Sequence, residues 1–177
     1  MSDKNRQRIQ LLPEVAEAMR GMLLLNARKG GRNMNHTIQL LQDVVRNART
    51  GQEAVEQLLR KVENPEMRGE LSVESKRYQD AAREAERALS RAGGQPEPVG
   101  MMAKAGMWLG TQMNTLTDTS NAHIAEMIIQ GATMGIIEMT KARNTYPDAD
   151  DSASGIASRF IVMQDDIIHR QKAYLVD

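Results

Sequence analysis

Four long stretches of this chain place apolar residues three and four positions apart, and turn-forming residues close each stretch. That spacing puts one apolar stripe on each of four helices, and a stripe has to be buried against another. The first stripe, within residues 36–62, is Leu41, Val44, Val45, Ala48, Val55, Leu58, Leu59 and Val62. "ENPE" ends it: Asn64 suits the cap of the next helix and Pro65 its first position, where the missing N–H costs nothing. The second, within 65–92, is Met67, Leu71, Tyr78, Ala81, Ala82, Ala85, Ala88 and Leu89, with Glu74 inside it. "GGQPEPVG" then breaks the chain. The third helix is expected over 120–144. It has two apolar faces, one of Ile124, Ala125, Ile128, Ala132, Ile136 and Met139, the other of Met127, Met134 and Ile137. After "TYPDADDS" the fourth stripe is Ile156, Phe160, Met163, Ile167 and Tyr174. The acidic run Asp148–Asp151 lacks the ligand spacing and central glycine of a calcium loop, and reads as acidic residues at a helix N-terminus.

The first and last connections are short, which makes their helices antiparallel neighbours, while the middle one is long. If residues 100–116, around Trp108, are helical, they cover roughly 25 Å, enough to run the length of a bundle. Composition agrees. Aromatic residues are 3% of the 177, whereas Met alone numbers 13, a balance that favours helices packed through aliphatic and thioether side chains over a sheet. The expected fold is all-α: an antiparallel four-helix bundle over 36–177 with a long crossover between its second and third helices. Residues 1–35 are expected to add an N-terminal amphipathic helix, 8–28, and a Gly-rich hinge, "ARKGGRN".

Several functions are set aside by what the chain lacks. It has no cysteine, so disulfides, thiolate nucleophiles and cysteine zinc sites are excluded. No apolar run approaches a membrane span, "GMLLL" is too short for a signal peptide, and a cytoplasmic protein is the simplest expectation. No phosphate-binding glycine loop or nucleophile elbow is visible. Net charge is zero and the four bundle helices carry mixed charge, against nucleic-acid binding. The charge is unevenly spread, however: residues 1–35 hold seven Lys/Arg against three Asp/Glu, leaving the remainder acidic by four.

"GQEAVEQLL", "QMNTLTD" and "HIAEMIIQGATMGIIEMTKA" resemble a family of small bacterial proteins of ferritin-like fold with no assigned activity, over about residues 38–176. The resemblance implies a ferritin-like bundle. The broader ferritin group would add a di-iron carboxylate centre, which needs a Glu from each of two helices and a Glu-x-x-His pair from each of the others. The residues fall short of that set. Glu74 stands with Arg77 where histidine is required. His123-x-x-Glu126 has the reverse order, and Asp166-x-x-His169 is a shortened version. Placed at 100° per residue, Asp166 is about 80° and His169 about 140° from the centre of their stripe. Glu126 and Gln130, one turn apart, can satisfy each other, as a polar pair in the bundle, or a neighbouring helix end.

The reading from sequence is therefore a structural or interaction protein, without cofactor, that assembles with copies of itself. The warrant is surplus apolar surface: the second face of residues 120–144, and Leu12, Val15, Met19, Met22 and Leu23 in the N-terminal helix. The alternative is an iron-binding redox or storage protein using Glu74, His123, Glu126, Asp166 and His169.

Overall fold

A computed structural model describes residues 3–96 and 118–175, with side chains from Glu17 onward apart from Ala18. Among the described residues there are four α-helices and no strand: α1 (Asp3–Leu59), α2 (Pro65–Arg91), α3 (Asn121–Thr145) and α4 (Asp151–Gln171), followed by a 3-10 turn, Lys172–Tyr174. The expected segment around Trp108 lies outside the described residues.

Local chemistry sets the helix ends. Asn64 accepts from the backbone N–H of Glu66 and of Met67, both at 3.0 Å, with Pro65 at the first position of α2. Asp150 caps α4 by accepting from Ala153 N–H at 2.7 Å, so the acidic run serves a helix N-terminus. Ser120 caps α3, accepting from His123 N–H at 3.3 Å. Beyond α2, Gly93 adopts φ +75, the left-handed conformation that turns a chain out of a helix, and Gly94 N–H donates to Leu89 O at 2.9 Å.

Pairings along the helices give their directions. α2 runs against α1, through Arg49–Glu86 and the bond from Gln42 Nε2 to Gln95 O (2.9 Å). α3 also runs against α1: Asn47 Nδ2 donates to Glu138 Oε2 at 3.1 Å, and His36 meets Tyr146 edge to face at 5.7 Å. The α3–α4 turn is pinned to α1 where Asp150 N–H donates to Thr37 Oγ1 (2.9 Å) and Asp148 N–H to His36 Nδ1 (3.2 Å). Helix α1 packs on each of the other three, and α4 packs on α1, α2 and α3. Helices α2 and α3 therefore sit on a diagonal and run parallel, so Arg91, which ends α2, and Asn121, which begins α3, stand at opposite ends of the bundle.

The core follows the expected stripes: Leu41, Val44, Val45, Ala48, Val55 and Leu58 from α1, with Val62 just beyond it, meet Met67, Leu71, Tyr78, Ala82, Ala85 and Leu89 from α2. Ile124, Ala125, Ile128, Ala132 and Met139 of α3 and Ile156, Phe160 and Ile167 of α4 complete it. Tyr78 and Phe160 pack edge to face, 6.1 Å between ring centres.

Two expectations are corrected. The hinge at "ARKGGRN" does not exist as a break: α1 is one helix of 57 residues through Gly30 and Gly31. A glycine in a helix interior costs about 1 kcal/mol relative to alanine, and unlike proline it keeps its N–H, so two of them weaken a helix without ending it. The second apolar face of α3 is not enclosed either. Met127 is partly buried, but Met134 and Ile137 are exposed.

Candidate functional site

Glu74 is the chemically distinctive residue of the bundle. Its place in the α2 stripe, between Leu71 and Tyr78, carries its carboxyl into the core, where it is 0% exposed. Its Oε1 accepts from Gln171 Nε2 of α4 at 2.6 Å, while its Oε2 and Gln171 Oε1 are buried without a partner among the described residues. Burial raises its pKa from 4.5 to about 7 against the opposing Gln171 hydrogen bond. Glu70 raises it further, and Arg77 and Arg170 act against the rise.

Both arginines are already engaged. Arg77 Nη1 lies 2.7 Å from Asp166 Oδ2, the same oxygen that accepts from Arg170 Nε at 3.1 Å, and Arg170 Nη1 lies 3.5 Å from Glu70 Oε1. The result is a ladder of alternating charge, Arg77–Asp166–Arg170–Glu70, across the α2–α4 seam. Arg77 first, and Arg170 after it, hold the Asp166 carboxyl below the usual carboxylate range. Asp166 is thus committed to two cations.

The other residues weighed as metal ligands lie elsewhere. His123 and Glu126 form a partly exposed pair in the first turns of α3, Nδ1 to Oε2 3.6 Å. His169 is exposed on α4, as its angle from the stripe required. Among the described residues no three His, Asp or Glu side chains converge in a group able to hold a metal ion. Of the five residues, the structure brings together only the His123–Glu126 pair.

The expected Glu126–Gln130 pair within the bundle is also corrected, since Glu126 is exposed and Gln130 lies beside the exposed Gly131 rather than in the core. Their i, i+4 spacing is real, but it lies on the side of α3 turned away from Ile128. Glu126→Ala is therefore expected to change stability by no more than about 0.5 kcal/mol, measured by thermal unfolding at neutral pH.

Sequence reasoning missed Gln171 and Gln164. Both are buried, on the face that continues Phe160 and Ile167 at i+4. A polar residue at a stripe position was the available signal. Gln164 sits against Gly135 of α3, where a Cβ would collide with its amide, so the two helices approach closely there.

Compared with family models, with curated proteins and with solved structures, the chain matches none.

Proposed function

We propose that this chain is a structural protein of ferritin-like topology that assembles with copies of itself through the N-terminal arm of α1. The parallel α2 and α3, joined end to opposite end, support that topology. One observation carries the assembly. Met19, Met22, Leu23, Leu24 and Leu25 are 59–72% exposed, on a helix continuous with the bundle. The first three repeat the spacing of core residues Leu41, Val44 and Val45, 22 positions further along the same helix. At 1.5 Å and 100° per residue the repeat lies about 33 Å up the axis and about 40° around it. The arm thus presents, beyond the end of its own bundle, the kind of face that α1 buries within it.

An arm that is part of one helix has no hinge by which to fold back on its own bundle, and a second molecule can supply its cover. A second copy fits the charge as well. The arm's surplus of four basic residues faces a remainder with four surplus acids, and Met134 and Ile137 of α3 offer an exposed apolar counterpart. Reciprocal exchange gives a closed dimer, whereas head-to-tail exchange gives a chain of subunits. An isolated helix containing three glycines, Gly21, Gly30 and Gly31, is marginal in water, so partner contacts would also supply the arm's stability.

Light scattering and circular dichroism on the full chain, on a deletion of residues 1–33, and on full-length Met19→Lys/Leu23→Lys provide the test. The full chain is expected to assemble, and both variants to fall to monomer mass with the bundle's helical signal intact. A monomeric full-length protein at tens of micromolar would overturn the proposal. Among the described residues no helix is long and apolar enough to cross a membrane.

A further inference from the structure

We propose that Glu74 carries a proton in the folded protein and closes a two-bond ring with Gln171, forming a latch that fastens the last turn of α4 and releases it when the proton leaves. Donors and acceptors do not balance in the ionised form. An ionised carboxylate only accepts, whereas a primary amide brings two N–H donors and one carbonyl acceptor. With Glu74 ionised, Gln171 Nε2 serves Oε1 at 2.6 Å, and two buried oxygens, Glu74 Oε2 and Gln171 Oε1, are left with no donor among the described residues. Orphaned buried acceptors of this kind are rare because each has lost its water. A single proton on Oε2 removes both defects: Glu74 Oε2–H donates to Gln171 Oε1 while Gln171 Nε2–H donates to Glu74 Oε1. A planar acid and a planar amide already joined on one edge are shaped for that second bond.

The surroundings favour the neutral form. On α2, Glu70 adds a like charge one turn away, and Arg77 is engaged by Asp166. On α4, Arg170 is shared between Asp166 and Glu70. The phenols nearest this charge are Tyr78 of α2 and Tyr174 of the 3-10 turn. Burial first, then the Glu74 charge, pushes Tyr78 upward; burial, then Glu66, Glu70 and Glu74, does the same for Tyr174. Among the described residues, α1 and α3 contribute no group to the set of charges acting on Glu74. Gln171 is the last residue of α4 and Lys172–Tyr174 follow directly, so breaking the ring loosens this end of α4 from α2, leaving Arg170–Glu70 as its remaining charged tie.

The direction of the pH effect follows from the upward shift, from 4.5 to about 7. The group's contribution is fully present below about pH 4.5 and is lost as pH rises to about 7, where the folded carboxyl ionises. Over that window the folded-to-unfolded ratio should fall by up to about 300-fold, a factor of about ten for each pH unit between the unfolded and folded midpoints.

The test, on the full-length protein and on Glu74→Gln, is thermal unfolding from about pH 4.5 to about pH 8, a range that brackets both midpoints, together with trypsin cleavage at Arg170 and Lys172 compared between the two proteins at about pH 8. Glutamine in place of Glu74 reproduces the neutral ring permanently. The wild type should lose stability through this window and, at about pH 8, be cut near its C-terminus more readily than Glu74→Gln at the same pH. Glu74→Gln should show no such loss of stability and should be the more stable protein at the alkaline end. Parallel pH profiles for the two proteins would overturn the latch. Should Glu74→Gln not fold, the carboxyl carbon resonance of Glu74 in the wild type decides alone. A midpoint near 7 supports the latch, and a carboxylate already ionised at about pH 5.5 refutes it.

Discussion

Phe160→Ala is expected to lower the free energy of unfolding by about 3–5 kcal/mol, the range for deleting a fully buried aromatic ring whose cavity cannot collapse. Phe160 is 2% exposed and is the only phenylalanine in the chain. It stands at the middle of α4, edge-on to Tyr78 of α2, beside Val44 of α1, Ala81 of α2 and Ile156 of α4. Val44 and Ala81 have no length with which to reach into the space vacated by a ring. A domain of ordinary stability holds roughly 5–15 kcal/mol, so this one change removes a large share of it. Urea unfolding followed by circular dichroism would show a lower midpoint with an unchanged slope. A loss under about 1 kcal/mol would mean that the α2–α4 seam repacks freely around the missing ring.

The bundle was legible because burial is periodic and the period can be read directly. The α1 and α2 stripes named the buried residues almost one for one, and Asn64–Pro65 announced the start of α2. Where the reading failed, two physical effects competed and the sequence does not say which is larger. At Gly30–Gly31, local propensity argued for a break, but helical hydrogen bonding persists through glycine at modest cost. On α3, two apolar faces implied enclosure on both sides, and that expectation hid the position of Glu126, which lies about 160° around the helix from Ile128.

The candidate site divides in the same way. Glu74 was marked by its position in an apolar stripe, since a carboxyl between Leu71 and Tyr78 has nowhere to go but inward. Its partner was not marked. The fourth stripe was traced through Met163 and Tyr174, although the fully buried positions are Gln164 and Gln171. Drawing a stripe through apolar residues alone skips the polar residues that answer a buried acid. Spacing likewise paired Asp166 with His169. The structure instead gives Asp166 to Arg77 and Arg170, a choice that depends on which helix faces α4.

One substitution made at three places in α1 should show how far the helix's surroundings, rather than its own propensity, decide the outcome. At Gly30 and at Gly31 an added Cβ meets nothing within 4 Å, so alanine should bring its intrinsic advantage of about 1 kcal/mol per site to the helicity of the arm. At Gly51 the same Cβ falls well inside contact distance of the Tyr78 ring. That ring is 4% exposed and held edge-on by Phe160, so it cannot swing aside as the tip of a long side chain would. Either the α1–α2 spacing opens or the ring leaves its rotamer, at a typical overpacking cost of about 1–3 kcal/mol, which exceeds the gain in propensity. Gly51→Ala is therefore expected to destabilise the bundle, while the paired Gly30→Ala/Gly31→Ala variant leaves its unfolding midpoint unchanged or higher and increases helical ellipticity. Chemical unfolding of the two variants beside the wild type gives the signs directly. A neutral or stabilising Gly51→Ala would show that α1 and α2 do not approach as closely as the Gly51–Tyr78 contact requires. A loss of helicity in the paired variant would show that the glycines serve a bend in the assembled arm.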